Sequence, residues 1–139
     1  MKLSLPQLLS LATLSVMTGC STAPAQVTRS AEAQQELDKA LAGRVAGKPV
    51  NCIPTYRADD MQIIDDWTIL FKDGSTIYLQ NPRGGCPGIG SSRNILVTRP
   101  IPSNQLCSGD INHLFDPVSR IGGGACVFSQ FVPYTKPAG

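Results

Sequence analysis

The sequence predicts a mainly β domain, a small barrel or sandwich stapled by disulfides, with one short helix ahead of it. Three features predict this class. In "IDDWTILFKDGSTIYLQ" (Ile64 to Gln80) two β-forming runs flank Asp73-Gly74, a favoured hairpin turn. Other short apolar runs are separated by Gly- and Pro-rich connections, among them "NPRGGCPGIGSS", "RPIPSNQ" and "DPVSRIGGG". Four cysteines, Cys52, Cys86, Cys107 and Cys126, are spread through the same region without close couples.

The chain of 139 residues has room for one such domain. It opens on Met1-Lys2, and Leu3 to Val16 follow without a charge. A charged start, a short apolar run and small residues describe a secretory signal over residues 1–19. The apolar run is shorter than a stable membrane-spanning helix requires.

Cys20 refines that expectation. It follows Gly19, with the bulky apolar Met17 three positions before it. The stretch resembles the lipobox of bacterial lipoproteins, from whose usual Leu Met17 departs. The resemblance implies diacylation of the Cys20 thiol, cleavage before it, and acylation of the new amine by a chain such as palmitate. Several acyl chains, at ~0.8 kcal/mol per buried methylene, anchor durably where one does not. Ser21, in place of Asp, implies the outer membrane and its periplasmic face. The alternative is ordinary cleavage nearby and a free periplasmic protein. Lipid on Cys20 also resolves the odd count of five cysteines, since four remain to pair.

Removing Lys2 with the signal leaves eleven Lys and Arg against ten Asp and Glu, a net charge near +1. That balance carries no nucleic-acid footprint. Residues 20–29, with "STAPAQV" at their heart, read as a flexible tether. Residues 30–45 read as a short amphipathic helix. Ser30 can cap it, Glu32 lies in the first turn, Lys39 and Arg44 lie toward the end, and Gly43 can terminate it. Ala33, Leu37, Ala40 and Leu41 share one thin apolar face, which suits weak docking or an extension of the tether.

Residues 48–139 form the β-rich domain. In the hairpin, a loop at Asp73-Gly74 pairs Phe71 with Thr76, Leu70 with Ile77 and Ile69 with Tyr78. One face then carries Trp67, Ile69, Phe71 and Tyr78, and the other Leu70, Ile77 and Leu79. Both faces are apolar, so a folded-over sheet should cover one and a helix or loop the other. Further strands are expected at Val50 to Ile53, Asn94 to Thr98, Ile111 to Phe115 and Cys126 to Val132.

The cysteines lack the CxxC couples of zinc knuckles and thioredoxin-like sites, so two structural disulfides are expected in an oxidising compartment. Four cysteines permit three connectivities. The preferred one is Cys86–Cys107 with Cys52–Cys126, which pins two turn-rich segments and ties the first strand to the last.

"VNCI", "TILFKDGSTIY", "CPGIG", "LCSGD" and "GGGACVFSQFVPY" together resemble a family of short Gram-negative envelope proteins classed as a domain of unknown function. The resemblance covers Lys48 to Pro133 and implies a two-disulfide domain behind a signal sequence. It implies no activity. Lysozyme-inhibitor lipoproteins are similar in architecture, but only the bare Ser108-Gly109 dipeptide evokes their inhibitory loop.

No residue is assigned as catalytic, cofactor-binding or metal-ligating. His113 is the only histidine. It stands three residues after Asp110 on an expected strand, which points the two to opposite faces. Asp110 is better placed to cap a turn beside Cys107. Asp59-Asp60 and Asp65-Asp66 lack the spacing of a calcium loop and read as solvated charges flanking a strand. "GGCPGIG" and "IGGGAC" lack a P-loop ending, so glycine there serves tight approach or positive φ. Arg83 and Arg93 bracket the first of these stretches, which suits an anion or a glycan. The expected function is a non-catalytic binding or envelope-maintenance module for an envelope protein or cell-wall glycan. The alternatives are a small hydrolase using His113 with a carboxylate, and a lysozyme-type inhibitor.

Overall fold

The computed structural model describes residues 28–54, 60–91, 93–99 and 104–138. The expected signal segment, Cys20, most of the expected tether and Asp59 lie outside the described residues. Among the described residues one helix, α1 (Ala31–Leu41), precedes ten strands. These are β1 (Val45–Ala46), β2 (Cys52–Pro54), β3 (Met61–Asp65), β4 (Thr68–Asp73), β5 (Thr76–Gln80), β6 (Ile95–Val97), β7 (Gln105–Cys107), β8 (Ile111–Asp116), β9 (Ile121–Val127) and β10 (Phe131–Thr135). They form a five-stranded sheet ordered β1-β10-β5-β4-β3, a pair β2-β7 and a three-stranded sheet β6-β8-β9. The fold is mainly β as expected, in open sheets rather than a closed barrel.

The hairpin β4–β5 is the centre of the large sheet. Its loop is Gly74-Ser75, one residue further along than expected, so Phe71 pairs with Tyr78 and Leu70 with Leu79. Gly74, at φ +56°, takes the first loop position, which a glycine suits. The slip moves each partner by two residues, and the side-chain period is also two. Every side chain of the two strands therefore keeps its expected face.

Ile69 and Phe71 enter the main core with Ile53, Leu106, Leu114, Phe128 and Phe131. This core fills the space between the large sheet and the two small ones. Phe71, Phe128 and Phe131 meet edge to face with centroids 5.7 to 5.9 Å apart. Such pairs add about 0.5–1.5 kcal/mol each beyond burial.

Leu70, Ile77 and Leu79 face the other way and pack under α1. The helix contributes Ala33, Leu37, Ala40 and Leu41, the face its spacing predicts. Ser30 caps it, its side chain accepting from the Ala33 amide at 3.2 Å, and Gly43 at φ +67° follows its end. The helix is thus the lid of a second core, not an extension of the tether.

Three strand expectations are corrected. β3 and the turn Asp66-Trp67 occupy the expected start of the hairpin, so Trp67 leaves the sheet and is 38% exposed. The glycines of "IGGGAC" form strand β9 rather than a loop. The expected strand at Cys126 to Val132 is broken at Phe128 to Gln130 between β9 and β10. There the fully buried Gln80 accepts from the Ser129 amide and donates to the Ser129 carbonyl, both at 2.9 Å. This satisfies a buried amide and turns the chain between sheets.

The disulfides are Cys52–Cys107 and Cys86–Cys126, which corrects the expected Cys52–Cys126 and Cys86–Cys107. The first links directly opposed residues of β2 and β7, whose Cα atoms are 4.1 Å apart. The flanking bond from the Ser108 amide to the Asn51 carbonyl marks a non-hydrogen-bonded pair, the close-approach position of an antiparallel ladder. The second ties the loop after β5 to β9. Chain-end proximity, the basis of the expected pairing, is met instead by β1 and Val50 pairing with β10.

Candidate functional site

The turn that carries Trp67 is built by its two preceding aspartates. Asp65 Oδ1 accepts from the Trp67 amide at 2.8 Å. Asp65 Oδ2 accepts from Arg29 Nε at 2.6 Å, and both side chains are largely covered. Asp66 Oδ1 accepts from the Gly90 amide at 3.0 Å, and its carbonyl accepts from the Cys86 amide at 2.6 Å. The pair therefore organises a turn and its neighbouring loop, and the expectation of solvated flanking charges is corrected. Carboxylates accepting backbone N–H groups make strong, oriented bonds.

Arg29 reaches further. Its Nη1 donates to Gln34 Oε1 at 3.3 Å and its Nη2 to Thr68 Oγ1. The buried Thr68 hydroxyl in turn donates to Asn81 Oδ1 at 3.0 Å. One guanidinium so links the start of α1, both sides of the β3–β4 turn and, through Thr68, the end of β5. A planar fork with fixed donors suits such a joint better than an ammonium.

Trp67 lies on Gly85. A Cβ at Gly85 would stand 3.0 Å from Trp67 Cε3 and 3.1 Å from the Asp66 carbonyl oxygen. Gly85 also holds φ +79°, so glycine is required there twice over. One side of the indole is thus supported by backbone while the residue remains 38% exposed. Two adjoining clefts meet at Arg29 and Trp67. One, of about 510 Å³, runs past Thr28, Ala33, Asp66, Gly88 and Ser91. The other, of about 290 Å³, is closed by Asn81 and Pro82. The arrangement offers a fixed aromatic surface ringed by hydrogen-bonding groups, which suits binding.

The other residues singled out in the sequence are not gathered here. His113 is exposed in the middle of β8, between Val97 of β6 and Ala125 of β9, and neither cross-strand neighbour is a carboxylate. Asp110 caps as expected: its Oδ2 accepts from the Cys107 amide at 2.6 Å, and its own amide donates to the Cys107 carbonyl at 3.1 Å. Arg83 and Arg93 are exposed, and the Arg83 amide bonds to the Val127 carbonyl at 2.8 Å. Among the described residues no three His, Cys, Asp or Glu side chains group as a metal site.

Sequence reasoning missed Arg29 and Trp67 as site residues. Arg29 fell in the tether and Trp67 in a core strand. The signal that marks the site is "DDW" itself: two aspartates in succession favour a turn over a strand, and a turn exposes the tryptophan beside them.

Fold and site together define a small disulfide-bonded β domain with an open aromatic cleft. The chain belongs to a family of unknown function (DUF6491), matched over residues 1–138. No curated protein and no solved structure matches it significantly.

Proposed function

We propose that this chain is an exported lipoprotein, anchored through Cys20 at the periplasmic face of the outer membrane, whose domain binds a cell-wall glycan without turning it over. The half-exposed indole of Trp67 carries the ligand reading. It is backed by Gly85, and the turn holding it is fixed by Asp65, Asp66 and Arg29. A sugar ring presents a C–H face that stacks on an indole and hydroxyls that bond at its rim. Asn81, oriented by Thr68, and Asp66 flank the indole as rim partners. A preformed surface loses little entropy on binding. The export reading is supported by the charged start, apolar run and Gly19-Cys20 of the sequence.

Trp67 is the chain's single tryptophan, so its fluorescence reports the cleft directly. Soluble peptidoglycan fragments titrated into purified protein should change its emission saturably and be recovered intact. An Asn81→Ala variant should weaken the binding several-fold, and Trp67→Ala should abolish fragment retention in a sedimentation assay. Emission unmoved by the fragments, or retention unchanged in Trp67→Ala, would overturn the reading.

A further inference from the structure

We propose that the tip of the β8–β9 hairpin, with β6 beside it, is a lipid-contact surface that enters the headgroup region of an anionic phospholipid bilayer. Four of the large apolar side chains left exposed belong to this one sheet: Ile95 at 49%, Ile111 at 61%, Val118 at 86% and Ile121 at 66%. The register brings three of them to one end. Ile95 lies opposite Phe115, Ile121 lies opposite Asp116, and Val118 stands in the turn between β8 and β9.

The turn is stiff. The Arg120 amide donates to the Asp116 carbonyl at 2.8 Å, and Asp116 Oδ1 accepts from the amides of Val118 and Ser119 at 2.8 and 3.2 Å. Arg120 takes the left-handed conformation that closes it, at φ +59°. Two arginines flank the apolar points. Arg120 is in the turn, and Arg93 is close enough to Asp116 to interact with its charge. A projecting, preformed turn with isolated aliphatic side chains and arginines at its base matches an interface. The aliphatic groups reach the acyl boundary while the guanidinium groups meet phosphates. Arg93 and Arg120 outnumber the Asp116 carboxylate, which is turned onto the Val118 and Ser119 amides, and this positive balance suits an anionic occupant.

The tip also lies toward the chain's N-terminal approach. Thr28, the first described residue, lines the same cleft as Gly88 and Ser91. The loop from there returns to the small sheet: Asn94 Nδ2 donates to the Gly88 carbonyl at 2.8 Å, and a Cβ at Gly123 would stand 3.1 Å from Asn94 Oδ1. The segment from Cys20 to Thr28 reaches at most about 29 Å when extended. A lipid on Cys20 therefore keeps this end within reach of the bilayer. This orientation rests on the anchoring reading above, whereas the composition of the tip does not.

The full chain in a Trp67→Phe background, carrying Val118→Trp, is reconstituted in vesicles of phosphatidylethanolamine and phosphatidylglycerol with brominated acyl chains. The indole placed at 118 should lose at least half its emission and shift to the blue. Ser75→Trp in the same background puts the probe at the opposite end of β4 from Arg29, and it should keep its emission. Equal quenching of the two probes, or none of either, overturns the proposal and leaves the face to a protein partner. Intact mass separates the two readings. A lipidated chain with an unquenched probe at 118 sinks the tip and spares the anchor. An unlipidated chain whose probe is quenched on added vesicles does the reverse.

Discussion

The two halves of this domain are held together by different means. The five-stranded sheet has apolar cover on both faces, the phenylalanine core on one and α1 on the other. None of its strands contains a cysteine. The two small sheets bury one face each into the shared core, and both disulfides lie there. A two-stranded ribbon or a short three-stranded sheet with one open face buries little area, and area sets the hydrophobic contribution. Covalent links supply what burial does not. The large sheet holds the Trp67 turn rigid, while the small sheet carries its exposed apolar face outward.

The hardest test of this contrast is reduction of both bridges. They close sequence separations of 55 and 40 residues, and each contributes about 4 kcal/mol on the chain-entropy account. Small domains hold only about 5–15 kcal/mol in total. Urea titration of the doubly reduced chain should show most of the stability gone. In hydrogen exchange, β6, β8 and β9 should lose protection before β4 and β5. Equal loss across both halves would erase the contrast.

Leu37→Ala probes the opposite half. Leu37 is buried on the inner face of α1, in a core that contains no cysteine. The truncation should cost about 2–3 kcal/mol. Exchange should accelerate in α1 and the hairpin while β8–β9 stays protected. A uniform effect would mean that the two cores unfold as one unit.

The smallest effect should come from acid at the β8–β9 turn. The Val118 amide, then the Ser119 amide and hydroxyl, hold the Asp116 carboxyl below its ordinary value. A depressed folded value means that its support is complete above the ordinary carboxylate range. That support is lost as pH falls through the lowered value. The Val118 amide resonance should titrate there, below the ordinary carboxylate range. An Asp116 that titrates at its ordinary value would show that the turn is not held by its carboxylate.

What was legible followed from local periodicity. The apolar face of the helix, the two faces of the β4–β5 hairpin and the cap role of Asp110 are all written within a few residues of one another. The face assignment survived even a misplaced loop, because a shift of two residues restores the parity of a strand. The glycines of β9 were illegible for the converse reason. A glycine run has no side-chain period, and only the ladder with β8 makes it a strand. Trp67 was misread because its residue type favours strands, whereas its place was set by two aspartates bonding to the turn and to a distant loop.

Residue order alone requires that a hairpin with two apolar faces be sandwiched, and it supplies a helix with a matching stripe to cover one. It also determined that the cysteines were spaced for bridges rather than for a metal. Which cysteines meet, where the indole comes to the surface, and that Arg29, just ahead of α1, locks the turn beneath it were all settled by the packing of the sheets. Local patterns fix which way a side chain points. Partners 36 to 55 residues apart are chosen only when sheets dock, because that choice depends on the shape of the whole core.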